Sequence, residues 1–429
     1  MPPEPAVPTT GAVDPAAHAV SAVEEAPAAS PSDAPRPTLA TLPLTLLIQA
    51  AASAATIAPA VAAPALLPRL EVGAVAVGIY IALVYLAAMG SSQWGAALVK
   101  RWGPIRTSQV ALGATASGLM LVALPHVAAA AFGALLIGAG YGPITPASSE
   151  ILARTTPPER YALVFSVKQT GVPVGGALAG LLVPTVLGHQ GPVWALALIA
   201  ALCVLGALLS EVLRGELDAL RDPAAPLPTL ARLAQPMRFV ASHAVLRTLA
   251  LCSLVFSAVQ VCVSSYLVSF LTHDLRWTLV AAGVGLAAAQ VAGVVGRVLW
   301  GVLADRSGEA RGALIGLAVA MALCGLAMPW LTPSIPHAAV MAVLVAYGAT
   351  AIGWNGVFLA TIARVVPLEQ AALATSGCLF FTYFGVVIGP PLFGATGGAL
   401  GALGTSFALL ALPLGWSLWQ LWHWRARVA

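Results

Sequence analysis

Lys168 and Arg297 are the residues whose placement asks for chemistry. Each sits inside an otherwise apolar run, and no aspartate or glutamate lies comparably deep: Glu71 and Asp274 mark one set of run ends, Glu150 and Asp305 the other. A charge inside a bilayer is costly unless it faces a cavity, a partner or a substrate. With no internal carboxylate to pair with, the two cations point to an anionic substrate as their partner. Arginine can place two parallel hydrogen bonds on a carboxylate, whereas lysine brings a compact charge on a flexible stem. The chain uses 18 Arg and only 2 Lys, which makes a lysine at 168 read as a chemical requirement. A structural alternative stands beside this: either side chain can snorkel to the membrane surface or bond to backbone carbonyls.

Helical spacing groups these residues with others. Gln290, Gly293, Arg297 and Gly301 recur at i, i+3, i+7 and i+11 and share one helix face, as do Lys168, Gly171 and Gly175. Lys168 lies seven residues past Tyr161 and Arg297 eight before Asp305. At about 1.5 Å per residue both sit roughly 10–12 Å into the membrane, on one level. Polar and aromatic residues on other runs complete a candidate substrate pocket: Gln49, Ser53 and Thr56; Ser257, Gln260 and Ser264; Tyr347, Trp354, Asn355 and Tyr383. Serine and threonine in membrane helices often bond to their own backbone, so Gln260, Trp354 and Asn355 carry more weight. Tyr141, Gly142, Pro143 and Pro146 read as a bend.

The elements that position these residues follow from composition. The chain has 429 residues, 59% hydrophobic and 8% charged, with a mean hydropathy of +0.91, a surface that only lipid suits. Apolar runs predict an all-α integral membrane protein with twelve spans, at 40–68, 72–94, 106–125, 127–152, 161–187, 192–213, 248–271, 279–303, 311–331, 337–363, 371–396 and 401–422. Residues 1–38, rich in Ala and Pro, read as a disordered tail, 39–213 and 248–422 as two six-helix bundles, 214–247 as a polar linker and 423–429 as a short tail. With the N-terminus cytoplasmic, every basic residue except Arg69, Arg276, Lys168 and Arg297 falls on the cytoplasmic side, so both termini are expected there. Internal similarity supports a duplicated unit: 97–103 (ALVKRWG) answers 302–308 (VLADRSG), and Arg154-Thr-Thr-Pro answers Arg364-Val-Val-Pro.

Other chemistry finds no footing. Cys203, Cys252, Cys262, Cys324 and Cys378 lack paired or metal-ligand spacing and read as small apolar-facing residues. His126, His189, His273 and His337 fall at expected external ends and read as ordinary loop residues. Nothing resembles a nucleotide-binding loop, a metal motif or a nucleophile with its base, so neither an enzyme nor a cofactor is expected.

The segment GVLADRSGEAR, residues 301–311, resembles the Gly-x-Leu-Ala-Asp-Arg-x-Gly signature between paired helices of major facilitator superfamily transporters. That resemblance implies two pseudo-symmetric six-helix bundles moving by alternating access, with Gly301, Asp305, Arg306, Gly308 and Arg311 gating the cytoplasmic side. The first-half copy has Ala96 and Lys100 where the signature has glycine and aspartate. The register Arg297, Gly301, Asp305 resembles the eighth helix of monocarboxylate and oxalate carriers, which implies that Arg297 holds a substrate carboxylate. Gly293 stands where the monocarboxylate carriers place a proton-coupling aspartate, and Ala134 or Leu136 where many relatives have a fourth-helix arginine. The family fold also implies that the fifth and eighth helices flank one central cavity. Expected together are a monomeric inner-membrane protein taking up a small mono- or dicarboxylate with protons, binding no nucleic acid. Its substrate site is Arg297, Lys168, Gln260, Gln290, Gln49, Tyr347, Trp354, Asn355 and Tyr383. The alternatives are a proton-driven exporter, which the Gly-Pro-rich stretches at 171–176 and 389–394 resemble, and a non-transporting receptor.

Overall fold

In hydrocarbon every backbone polar group needs an internal partner, so apolar runs of this length must be helical. The computed structural model bears this out and describes residues 40–156, 164, 167–226, 235–307, 310–366 and 368–424. The expected tail at 1–38, part of the linker (227–234) and residues 425–429 lie outside the described residues. In chain order the helices are α1 (Thr41–Val61), α2 (Ala63–Leu70), α3 (Val75–Trp102), α4 (Pro104–Val122), α5 (Val127–Thr155), α6 (Gly171–Gln190), α7 (Pro192–Ser210) and α8 (Arg214–Leu217). The second half holds α9 (Gln235–Ser242), α10 (Ala244–His273), α11 (Leu279–Ser307), α12 (Ala310–Ala327), α13 (His337–Ala351), α14 (Asn355–Val365), α15 (Leu368–Leu400), α16 (Leu403–Leu409) and α17 (Ala411–His423).

Among the described residues, 10 helices are long and apolar enough to cross a membrane. Two of the twelve expected spans differ in kind. The third, α4, is helical but carries Arg106, Thr107, Ser108 and Gln109 in its opening turns. The last is divided at Leu410 into α16 and α17, where Pro413 denies the Leu409 carbonyl its usual N–H partner. Other expected spans are interrupted too: the first at Ala62, just before Pro64, the fifth at Thr170, and the tenth at Ile352–Trp354. By contrast α5 runs unbroken through Pro143 and Pro146.

Tight connections come from a repeated pair of residues. Gly103 (φ +89°) and Gly191 (φ +85°) each end one helix, and Pro104 and Pro192 begin the next. Glycine takes the left-handed backbone without strain, and proline suits the first helical position because its missing N–H is not needed there. Asp218, from the start of the linker, closes over the first of these turns: its Oδ1 accepts from the Ile105 N–H at 2.8 Å and its Oδ2 from the Arg106 N–H at 3.0 Å. Burial raises the Asp218 carboxyl above its ordinary value, and the two donors pull it back. The linker thus brings a carboxylate to the loop whose own signature position holds Lys100.

Within the first half α3 and α4 pack on α5, and α1 on α6; within the second α10 packs on α15 and α11 on α13. The halves meet along α3–α15 and α6–α11, with α1 and α10, the two most enclosed helices, between them. Small residues make these approaches possible. A Cβ on Gly78 would strike the Pro390 carbonyl, and one on Gly283 the Gly180 carbonyl. The ends of α3, α5 and α11 at Trp102, Thr155 and Ser307 define a basic face; the loops at 71–74, 274–278 and 401–402 define the far face. Tyr266 closes the seam on the far side, its hydroxyl 3.1 Å from the Pro390 carbonyl and 3.3 Å from that of Ala74. Among the described glycines, those that touch the other half lie between the bilayer centre and the far face, whereas Gly90 and Gly301, nearer the basic face, meet nothing within 4 Å.

Candidate functional site

The interruption of the fifth span explains where Arg297 goes. In a continuous helix the Gln169 carbonyl would accept from residue 173, but that residue is Pro173 and has no N–H. The orphaned oxygen is taken by Arg297 of α11, whose Nη1 donates to it at 2.9 Å. Its Nε donates at 3.1 Å to the Ile352 carbonyl, which lies in the break between α13 and α14. No proline makes that second break; it holds Gly353, packed close to Gly296 of α11, and Trp354. Arg297 therefore bridges two helix interruptions, one in each half of the molecule. Of the two readings open at the level of sequence, the carbonyl bonds are present here, and both partners are neutral.

Lys168 is buried (1% exposed) on the turn before that interruption. Its face, shared with Gly171 and Gly175, packs on α1: a Cβ at Gly171 would meet the Gln49 side chain and one at Gly175 the Ala50 carbonyl. The Lys168 Nζ lies 3.4 Å from Gln169 Oε1, at the outer limit of a hydrogen bond. Arg297 thus holds the main chain of the residue next to Lys168. Among the described residues, no carboxylate lies within ion-pair distance of either.

Gln49 of α1 extends beside Gly171 and against the Tyr141 hydroxyl, yet its Oε1 is buried without a donor at hydrogen-bonding distance. Tyr141 belongs to a row of tyrosines crossing the seam: its ring stands 6.0 Å from that of Tyr85, and Tyr85 stands 6.4 Å from Tyr383 of the other half. Arg297 lies within electrostatic reach of the Tyr141 hydroxyl. Of these three tyrosines only Tyr383 reads from sequence as a pocket residue; Tyr141 reads as part of a bend and Tyr85 carries no mark. No helical period links residues on three different helices, so the row had no signal in one sequence. Gln169 did have one, the proline four residues on.

Gln260, Trp354 and Asn355 are joined directly. The Gln260 Oε1 accepts from Trp354 Nε1 at 2.9 Å and from Asn355 Nδ2 at 3.1 Å, which ties α10 to the break that also supplies the Ile352 carbonyl. Phe256 and Phe358 stack edge-on against Trp354 at 5.7 and 5.3 Å. Gln290 of α11 donates to Ser264 Oγ at 3.2 Å and fills the space at Gly176 of α6. Tyr347 stands apart, buried against Phe407 and Gly325 with its hydroxyl unpartnered. Ser53 donates to the Val172 carbonyl at 2.8 Å beside the interruption, while Thr56 bonds back to Ala52 of its own helix.

The residues expected to gate are described only in part. Gly301 faces open space, Arg306 is exposed, and Gly308 and the Asp305 side chain lie outside the described residues. Arg311 donates from Nε to the Leu421 carbonyl at 2.8 Å and from Nη2 to that of Trp422 at 2.6 Å, neutralising the C-terminal end of α17. Arg311→Ala should therefore lower the stability of the folded protein by about 1.5–3 kcal/mol, the range for hydrogen bonds to a charged group. Thermal unfolding of the purified variant reads this; an unchanged midpoint would show the contact to be dispensable.

A family described as the Major Facilitator Superfamily matches residues 44–390, and again 249–428. No curated protein matches the sequence. Solved structures similar to it include a bacterial homologue of the human lysosomal transporter Spinster, inward-facing and occupied, with a TM-score of 0.67, 17% identity, and coverage of 89% of this chain and 93% of that one. The same homologue unoccupied gives 0.66, 16%, 92% and 95%. The nucleoside transporter NupG is also similar, with a TM-score of 0.75, 14% identity, and coverage of 89% and 98%. At these identities the likeness concerns the fold alone.

Proposed function

Because the chain belongs to the major facilitator superfamily, and so is a membrane transporter and not an enzyme, we propose that it takes up a small organic anion, a mono- or dicarboxylate, with protons. The observation that carries this reading is the pair Lys168 and Arg297, both bonded to Gln169, with only neutral partners among the described residues. Carbonyl oxygens solvate the guanidinium but leave its charge uncompensated, so a carboxylate arriving between α1, α6 and α11 supplies what the site lacks. Gln49, with its unpartnered Oε1, and the Gln260–Trp354–Asn355 group offer polar contacts on the flanking helices. With no carboxylate paired to either cation among the described residues, the proton rides on the substrate or on Lys168. The basic face is read as cytoplasmic and the far face as external. On that orientation the closed far seam belongs to the state that exchanges with the cytoplasm, and the segment 301–311 moves when the basic face closes. The resemblance to monocarboxylate and oxalate carriers agrees with this assignment of Arg297.

Substrate-induced thermal stabilisation of the purified protein tests the reading across carboxylates, sugars, nucleosides and cationic drugs. A ligand that binds only the folded state stabilises it by mass action, by about 2.7 kcal/mol at a hundred times its Kd. The expected result is stabilisation by carboxylates that disappears in Arg297→Ala and in Lys168→Ala. A wild-type protein blind to carboxylates but stabilised by another class would overturn the anion assignment.

A further inference from the structure

Away from the two cations, a cavity of about 520 Å³ opens on the far face directly above the seam that Tyr266 closes. Its walls come from both halves: Pro64, Leu67 and Val77 from the first, Tyr266, Thr272, Gly398 and Leu403 from the second. That volume is within the range of small-molecule sites, and the lining is largely apolar. The basic side chains on its lining are His273 and Arg276, which also border a second cavity of about 320 Å³ alongside. Asp274, two residues before Arg276, is already engaged: it accepts from the Gly404 N–H at 3.0 Å through Oδ2 and pairs with His273 Nδ1 at 2.9 Å through Oδ1. Arg276 makes no ion pair among the described residues.

The backbone holds Arg276 in that position. Its φ of +60° lies in the left-handed region, which costs a non-glycine residue energy and persists only where the surroundings enforce it. Leu275 and Trp277 on either side are buried, and the Trp277 N–H donates to the Leu271 carbonyl at 2.9 Å. With both neighbours anchored inward, the guanidinium is presented at the rim of an apolar cleft. We propose that this cavity is a second binding site, for an amphipathic anion whose apolar chain lies between the halves and whose head group meets Arg276, and that its occupant holds the far seam shut. A ligand touching both halves only when they are together favours the closed state by its difference in affinity for the two states. The site is independent of the reading of Lys168 and Arg297.

The test uses the full-length protein in nanodiscs of zwitterionic phosphatidylcholine, with radiolabelled decanoate as the probe. Saturable binding should weaken at least tenfold in Arg276→Ala and persist in Arg276→Lys. Gly398→Trp should also abolish it, because the space at Gly398 is open, with Val75 at 3.9 Å its nearest neighbour, and the indole would fill the cleft without displacing a packed group. Spin labels at Glu71 and Thr332, one on each half, should shift toward the shorter distance with decanoate in wild type and not in Arg276→Ala. Decanoate bound equally well by Arg276→Ala and Gly398→Trp would overturn the site, and an unmoved distance distribution would overturn its action on the seam. Adding phosphatidylglycerol to the nanodisc identifies the source: displacement of decanoate assigns an anionic lipid, and undiminished binding assigns a free amphiphile, both from the same site.

Discussion

Gly78→Leu should leave the protein folded and inserted while reducing transport at least a hundredfold. A Cβ at this position meets the carbonyl of Pro390 and the Cα of Pro391, which are backbone atoms that cannot rotate aside as a flexible side chain could. Overpacking of this kind typically costs about 1–3 kcal/mol, and more where backbone must move. The collision exists only while the far seam is shut, so the cost falls on that state alone. About 2.8 kcal/mol on one side of a two-state equilibrium moves it a hundredfold, which would hold the protein with its far face open. Gly283→Leu, wedged against the Gly180 carbonyl on the other seam, should act in the same direction. Gly90→Leu is the control, because nothing lies within 4 Å of its Cβ. Uptake into proteoliposomes together with distances between labels on the far loops measures both effects. Wild-type transport by Gly78→Leu would mean that this seam does not open and close during the cycle.

Much of the architecture was legible because lipid leaves so few alternatives. Apolar runs, Gly-Pro punctuation and the distribution of arginine located the helices, and the repeated motif at 97–103 and 302–308 pointed to the two related halves. Helix interruptions were less visible. Hydropathy carries straight through Thr170 and through Ile352–Trp354, since a broken helix and a continuous one can have the same apolar content. Only Pro173 betrayed the first break, and it did so through the orphaned Gln169 carbonyl. Periodicity also assigned Lys168, Gly171 and Gly175 to one face without saying which neighbour that face meets, and it meets α1. Arg311 shows the same limit from another side. Its place in a gating signature was clear in sequence, but its bonds to Leu421 and Trp422 depend on where a helix more than a hundred residues later comes to rest.

Lys168→Met should change stability and binding in opposite directions. The side chain is 1% exposed, and among the described residues Gln169 Oε1 at 3.4 Å accepts from it and no carboxylate pairs with it. Methionine keeps the length and flexibility of the lysine stem and removes the ammonium, so the buried stem's packing is retained. An ionised group in the apolar part of a membrane protein carries a penalty of about 2.5–3.5 kcal/mol, and relieving it should raise the unfolding midpoint in the absence of ligand. The same change removes one of the two charges proposed to attract the anion, so carboxylate binding should fall at least tenfold. A residue kept for function at a cost in stability has this signature, whereas a structural residue loses both together. Thermal unfolding with and without carboxylate reads the two signs in one experiment. If Lys168→Met is destabilised without ligand, the ammonium is holding the fold, and the anion site then rests on Arg297 alone.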